Sequence, residues 1–209
     1  MDFLSQIMQE VLVFFYGLTA MTGYANYGLA ILLLTFVIKM ALYPLTVKQV
    51  KSMKAMQELQ PKMKALQEKY KGDKEKLNKE MAELYRSAGV NPLAGCLPLV
   101  IQMPFLIAIF YALRDFSFGD NASFLWIADL ASPDHLYVLP VLSAATTFYQ
   151  QYQTMTEATQ QNKMMMIFMP LFVGYISLTF PAGLVLYWSF GNIIQIAQQW
   201  WMYREKPAV

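Results

Sequence analysis

The chain has 209 residues, of which 56% are hydrophobic and only 14% charged, with a positive mean hydropathy. That balance points to a polytopic membrane protein and away from a soluble domain. The net charge of +2 excludes little; how the charges are distributed along the chain is more informative. One cysteine, Cys96, excludes an intrachain disulfide framework, and with a single histidine, His135, neither a metal site nor a Cys/His nucleophile pair is expected. Cys96 reads as a packing residue and His135 as a loop residue.

Taken in chain order, the N-terminus has neither a basic region nor a small-residue cleavage site, so no signal peptide is expected. Residues 1–20 read as an interfacial amphipathic helix. Leu4, Ile7, Met8, Val11, Leu12, Phe15 and Leu18 recur at helical spacing, and Asp2, Ser5, Gln6, Gln9 and Glu10 fall mostly opposite. The polar face holds acids and no bases, which suits the outer surface rather than an anionic cytoplasmic leaflet.

Five candidate spans follow, at 28–47, 92–114, 136–153, 164–180 and 182–203. A helix needs about 20 largely apolar residues to cross the hydrocarbon, so the third and fourth depend on their flanks reaching the interface. Between the first two spans, residues 48–90 read as a cytoplasmic helical hairpin. Met53, Met56, Leu59, Met63, Leu66 and Tyr70 form one stripe, and Leu77, Met81, Leu84 and Tyr85 a second. "KGDK" at 71–74 is the turn, and Pro61 is expected to kink the first arm or start a fresh helix. Two readings stay open: a solvated hairpin that closes a loop, or a docking surface whose unbranched Met side chains adapt to varied partners.

Residues 115–135 read as an outer loop, 154–163 as a cytoplasmic loop and 204–209 as a short cytoplasmic tail. Eleven bases lie between Lys48 and Arg86, joined by Lys163, Arg204 and Lys206; against these fourteen the opposite side carries only Arg114. The positive-inside rule then sets the N-terminus out and the C-terminus in. "NAS" at 121–123 matches a glycosylation sequon, relevant only on a eukaryotic secretory route.

Lys39 stands inside the first apolar run, "ILLLTFVIKMALYPL". A mid-span lysine costs about 2.5–3.5 kcal/mol, and each flanking Leu, Ile, Phe or Val returns roughly 0.3–0.6, so the helix still inserts. Three environments are open. The lysine snorkels to the cytoplasmic interface; it pairs with an acid, although no Asp or Glu occurs within the five spans; or it lies in a water-filled recess. Thr35 is one turn away, and Gln102, Gln150, Gln151, Asn192, Gln195 and Gln198 supply polar groups from other spans. The missing intramembrane carboxylates argue against a proton- or sodium-driven carrier, and there is no phosphate-cradling "GxxxxGK[ST]". A Ser/His protease is excluded by the position of the lone His, and a Ser189–Lys39 dyad remains only formally available.

"TFVIKMALYPLT", "LQPK", "LYRSAGVNPLAGCLPLVIQMP", "FLWIADL", "FMPLF" and "FPAGLVLYW" occur in this order within a match that covers about residues 5–204. In order and spacing they resemble the YidC/Oxa/Alb membrane protein insertase family. The resemblance implies an all-α polytopic protein of the bacterial plasma (inner) membrane. Five transmembrane helices surround a positively charged groove, open to the cytoplasm and to lipid and closed outward. It implies insertion of nascent membrane proteins into the bilayer, alone or beside the Sec translocon, without nucleotide or other cofactor. The signal recognition particle receptor and the ribosome are candidate partners, and no nucleic acid is recognised directly. By this resemblance the groove cation falls on Lys39, where the family more commonly has arginine, and the groove threonine on Thr35. The groove glutamine falls on Gln151 or Gln150, and the aromatic pair on Tyr187 and Trp188. The chain resembles short bacterial members without the large periplasmic domain or a long basic tail, which leaves ribosome contact to the hairpin and short loops. Two rival functions remain: a small anion transporter or channel, which needs a path to the outer side, and a purely structural assembly factor. "MMMIFMP" at 164–170 reads as client-facing or as core and lipid-facing packing.

Overall fold

A computed structural model of the chain describes residues 2–90, 97–114, 116, 118–154 and 160–204. Among these there are eight α-helices: α1 Asp2–Met21, α2 Tyr27–Ala41, α3 Tyr43–Lys69, α4 Lys74–Ser87, α5 Leu97–Arg114, α6 Val138–Thr154, α7 Gln160–Ser177 and α8 Ala182–Arg204. Their ends follow local chemistry. Asn26 caps α2, its side chain accepting from Leu29 N at 3.2 Å, and Asp73 caps α4 by accepting from Lys76 N at 3.1 Å. The turn expected at "KGDK" is present, and α4 folds back on α3.

The first span and the hairpin divide differently from expectation. The helix breaks at Leu42, and α3 starts at Tyr43 as one continuous rod into the hairpin, bent 61° from α2. Pro44 explains the position of the break: a continuous helix would need its missing N–H for the Met40 carbonyl, and its ring would clash there, whereas it is tolerated in the first turn of a new helix. Pro61, by contrast, lies within α3 without ending it. No single described helix is long and apolar enough to cross a membrane; only the bent pair α2–α3 passes that test together. Polar residues such as Gln102, Asn192, Gln198 and Gln199 interrupt the apolar runs of α5 and α8.

α2, α1, α5 and α8 form a ring, α6 lies against α8, and α7 lies against α6. α1 is part of this ring: Leu12 is fully buried, and Gln9, expected on the polar face, donates from Nε2 to Ala112 O at 3.0 Å. Its opposite side exposes Val13, Phe14, Leu18 and Met21.

The 115–135 segment is not an open loop. Phe118, Phe124, Ile127 and Leu130 are buried in the same core as Leu12, Ile31, Leu34, Ile109 and Leu113. Leu130 O and Ser132 O accept from Gly183 N and Ala182 N, satisfying donors that the start of α8 would otherwise leave bare. Gly28 admits the Phe124 ring so closely that a Cβ there would overlap it. This segment therefore caps the end of the bundle opposite the hairpin. His135 is exposed, as expected of a loop residue. The whole of "NPLAGC" at 91–96, Cys96 included, much of the 154–163 loop and the tail beyond Arg204 lie outside the described residues.

Candidate functional site

Lys39 ends up inside the bundle. It is 9% exposed, and its ammonium donates to Gln195 Oε1 of α8 at 3.0 Å and to Gln102 Oε1 of α5 at 3.3 Å. Gln102 in turn donates from Nε2 to the Tyr187 hydroxyl at 2.6 Å. The amide oxygens supply the acceptors that a carboxylate would otherwise provide. Room for the lysine stem comes from Gly191, where a Cβ would stand 3.2 Å from Lys39 Cε. The break after α2 contributes too. The Lys39 carbonyl, whose partner in an unbroken helix would be the N–H of residue 43, accepts from Gln198 Nε2 at 3.4 Å.

Lys39 is thus enclosed between helices with amide oxygens as its partners, and among the described residues neither an acid nor an exposed position at the helix end holds its ammonium. Tyr187, Gly191, Gln195 and Gln198 follow one another at spacings of four, four and three, so they share the face of α8 turned to α2. Trp188 and Asn192 occupy the neighbouring face, turned to α6. Trp188 Nε1 donates to Thr147 Oγ1 at 3.2 Å, and Asn192 Nδ2 to Thr147 Oγ1 at 3.1 Å and Thr146 Oγ1 at 3.3 Å. Thr35 is fully buried one turn above Lys39, but its hydroxyl donates to Ile31 O of its own helix at 2.6 Å. Among the described residues the ammonium's acceptors come from α5 and α8; Gln150 and Gln151 are half-buried on α6 and do not reach it. Gln195 and Gln198 were legible as polar residues at helical spacing, but not as the ones that face Lys39.

The bundle is divided along its axis. On the capped side of Lys39, Met8, Leu12, Ile31, Leu34, Ile109, Ala112, Leu113 and Tyr187 close around a cavity of about 10 Å³, no more than one water requires. On the hairpin side lie Gln198 and Gln199. Gln199 is fully buried, with both amide atoms unpaired, and Gln153 Oε1 of α6 is unpaired as well. Buried amides without partners are costly in apolar surroundings and suit a wet recess.

The hairpin uses its methionines unevenly. Met53 and Met63 are buried, Met53 at the base of α3 and Met63 accepting from Tyr85 OH at 3.8 Å. Met56, Leu66, Tyr70, Leu77, Met81 and Leu84 are half-buried along the seam, and α4 buries no residue fully. Lys54 Nζ donates to Met202 O and ties the base of α3 to the end of α8.

Comparison with known proteins places these features in context. The family model described as "60Kd inner membrane protein" matches residues 17–208. A protein of Bacillus anthracis named "Membrane protein insertase YidC 2" is 48% identical over 183 residues, covering 84% of this chain and 71% of its own length. One of Geotalea daltonii, "Membrane protein insertase YidC", is 43% identical over 196 residues, covering 93% of this chain but 36% of its own. The chain therefore spans about a third of that relative. A solved structure titled "Active YidC insertase crystal structure with the first transmembrane domain resolved" superposes with a TM-score of 0.75 at 31% identity, over 92% of this chain and 45% of that one.

Proposed function

Since the chain belongs to the YidC/Oxa/Alb family of membrane protein insertases, we propose that it inserts transmembrane segments of nascent proteins into the bacterial inner membrane. The observation that carries this reading is the division of the bundle at Lys39. An amide-held cation, with no acid beside it, sits where an apolar plug meets a polar half.

A polar or acidic flank of a client enters the polar half from the hairpin side and is drawn toward Lys39. The plug stops it there, so the hydrophobic part of the client has only the remaining thickness to cross and partitions sideways past α6 and α8 into lipid. Lys39, Gln102, Gln195, Tyr187 and Asn192 line or frame the recess, with Thr35 packing behind it. Gln150 and Gln151 stand toward its mouth. The half-buried hairpin seam receives the incoming chain or its delivery partners, among them the Sec translocon, the signal recognition particle receptor and the ribosome. No covalent step and no cofactor is involved. The apolar plug disfavours the rival anion channel, which requires a polar path through the capped end.

Reconstitution in protein-free liposomes tests this, using a short single-span client with an acidic outer tail. Lys39→Ala is expected to reduce insertion several-fold and Lys39→Arg to retain it. Equal insertion by all three proteins would remove the groove charge from the mechanism.

A further inference from the structure

The capped end carries a feature that insertion does not use. Phe124 and Ile127 exchange both backbone hydrogen bonds at 2.8 Å, closing a two-residue turn over Leu125 and Trp126. Turns of this kind need positive φ and favour Asn, Asp or Gly. Here Leu125 adopts φ 52, and Tyr137 adopts φ 58; they are the positive-φ non-glycine residues among those described. Bulky side chains in this region strain the backbone. Burial does not repay that strain, because Leu125 is 75% exposed and Tyr137 59%.

Both strained positions are organised by one buried carboxylate. Asp134 accepts from Trp126 Nε1 at 3.3 Å, from Leu136 N at 3.1 Å and from Leu139 N at 2.7 Å. It therefore fastens the turn to the start of α6 and gathers Leu125, Trp126, Leu136 and Tyr137 at one place. From there an exposed apolar strip runs down α6 through Val138, Val141, Phe148 and Tyr152, at helical spacing. The patch is thus continuous with a wall that faces lipid once the chain is in a membrane. Residues 115–137 contain no Lys or Arg, so attraction to anionic headgroups is not its basis. Trp and Tyr, with apolar bodies and polar tips, suit the headgroup boundary.

We propose that the Leu125–Trp126 turn and the Leu136–Tyr137 segment form an anchor seated in the headgroup region of the outer leaflet, fixing the depth of the outer end of α6. The proposal rests on the membrane location of the chain and not on its insertase activity, and its test reads no insertion.

The full chain, with Cys96→Ser and Leu125→Cys carrying an environment-sensitive fluorophore, is placed in phosphatidylcholine/phosphatidylglycerol nanodiscs. A hairpin label at Glu83→Cys serves as the aqueous control. At the Leu125 position, quenching by a lipid with a nitroxide at headgroup depth should exceed that by aqueous iodide several-fold, and the hairpin label should show the reverse. Because Leu125→Cys alters the strained turn, a second protein keeps Trp126 as its only tryptophan (Trp188, Trp200 and Trp201→Phe). Its emission should be quenched by brominated lipid. Iodide quenching equal to that of the hairpin label would overturn the anchor. So would shielding from both quenchers, which would point to a second protein copy covering the patch.

Discussion

At the scale of single residues, the hydrogen bonds of Lys39 decide how its charge is held. Two amide oxygens on different helices, Gln102 and Gln195, share the ammonium. Gln195→Leu keeps much of the volume and removes the shorter of the two bonds. Leaving a buried polar group unsatisfied costs about 1–3 kcal/mol, and a charged one more. The expected result is a lowered melting temperature in lipid nanodiscs, while Lys39→Leu combined with Gln195→Leu recovers part of the loss because no charge remains to satisfy. If the double variant melts no higher than the single one, Gln195 acts through packing alone. Part of this arrangement was legible in the sequence: a cation in an apolar run, acid-free spans and a supply of amides. The choice among the amides was not. Which of Gln150, Gln151, Asn192, Gln195 and Gln198 meets Lys39 depends on the rotation of α6 and α8 about their axes. Gly191, whose missing Cβ admits the lysine, gives that rotation a mark that is visible only once the helices are placed.

At the scale of elements, the joint between α2 and α3 links the site to the hairpin. The hydrophobic run continues through "ALYPLTV", so pattern alone extends the span to residue 47; the backbone instead turns at Leu42, because Pro44 cannot continue the helix of α2 but fits the first turn of α3. The hairpin itself was readable, since its turn and both stripes lie within one stretch of sequence. The buried cap over 115–135 was not, because its polar and turn-forming residues mask four core side chains that depend on partners far away in the chain. Pro44→Ala restores an N–H and permits a straighter path. Spin labels at Leu33 and Glu58, in a Cys96→Ser background, would then move apart. With a rise of 1.5 Å per residue, full straightening of the 61° bend adds about 5 Å. An unchanged distance would mean that the bend is held by packing and by the Gln198–Lys39 bond rather than by Pro44.

At the scale of the whole molecule, two independent asymmetries point the same way. The hairpin, the α8 terminus and Lys163 carry fourteen of the sixteen basic residues, while the capped end carries Arg114 and a run of aspartates. The interior repeats this polarity: apolar plug toward the cap, unpaired amides toward the hairpin. A basic hairpin resists translocation, so the hairpin is expected on the cytoplasmic side and the cap outside. In the chain the two ends are joined by α5, an 18-residue helix with Gln102 near its start. The prediction is that, in a Cys96→Ser background, Asn121→Cys reacts with a membrane-impermeant maleimide in intact spheroplasts. Glu83→Cys should react only after permeabilisation. Both residues are exposed, so labelling reports sidedness rather than burial. Reaction at both before permeabilisation would place the hairpin outside, on the same side as the cap. The polar half, with Lys39 at its head, would then open away from the cytoplasm, and a nascent chain arriving from inside could not reach it.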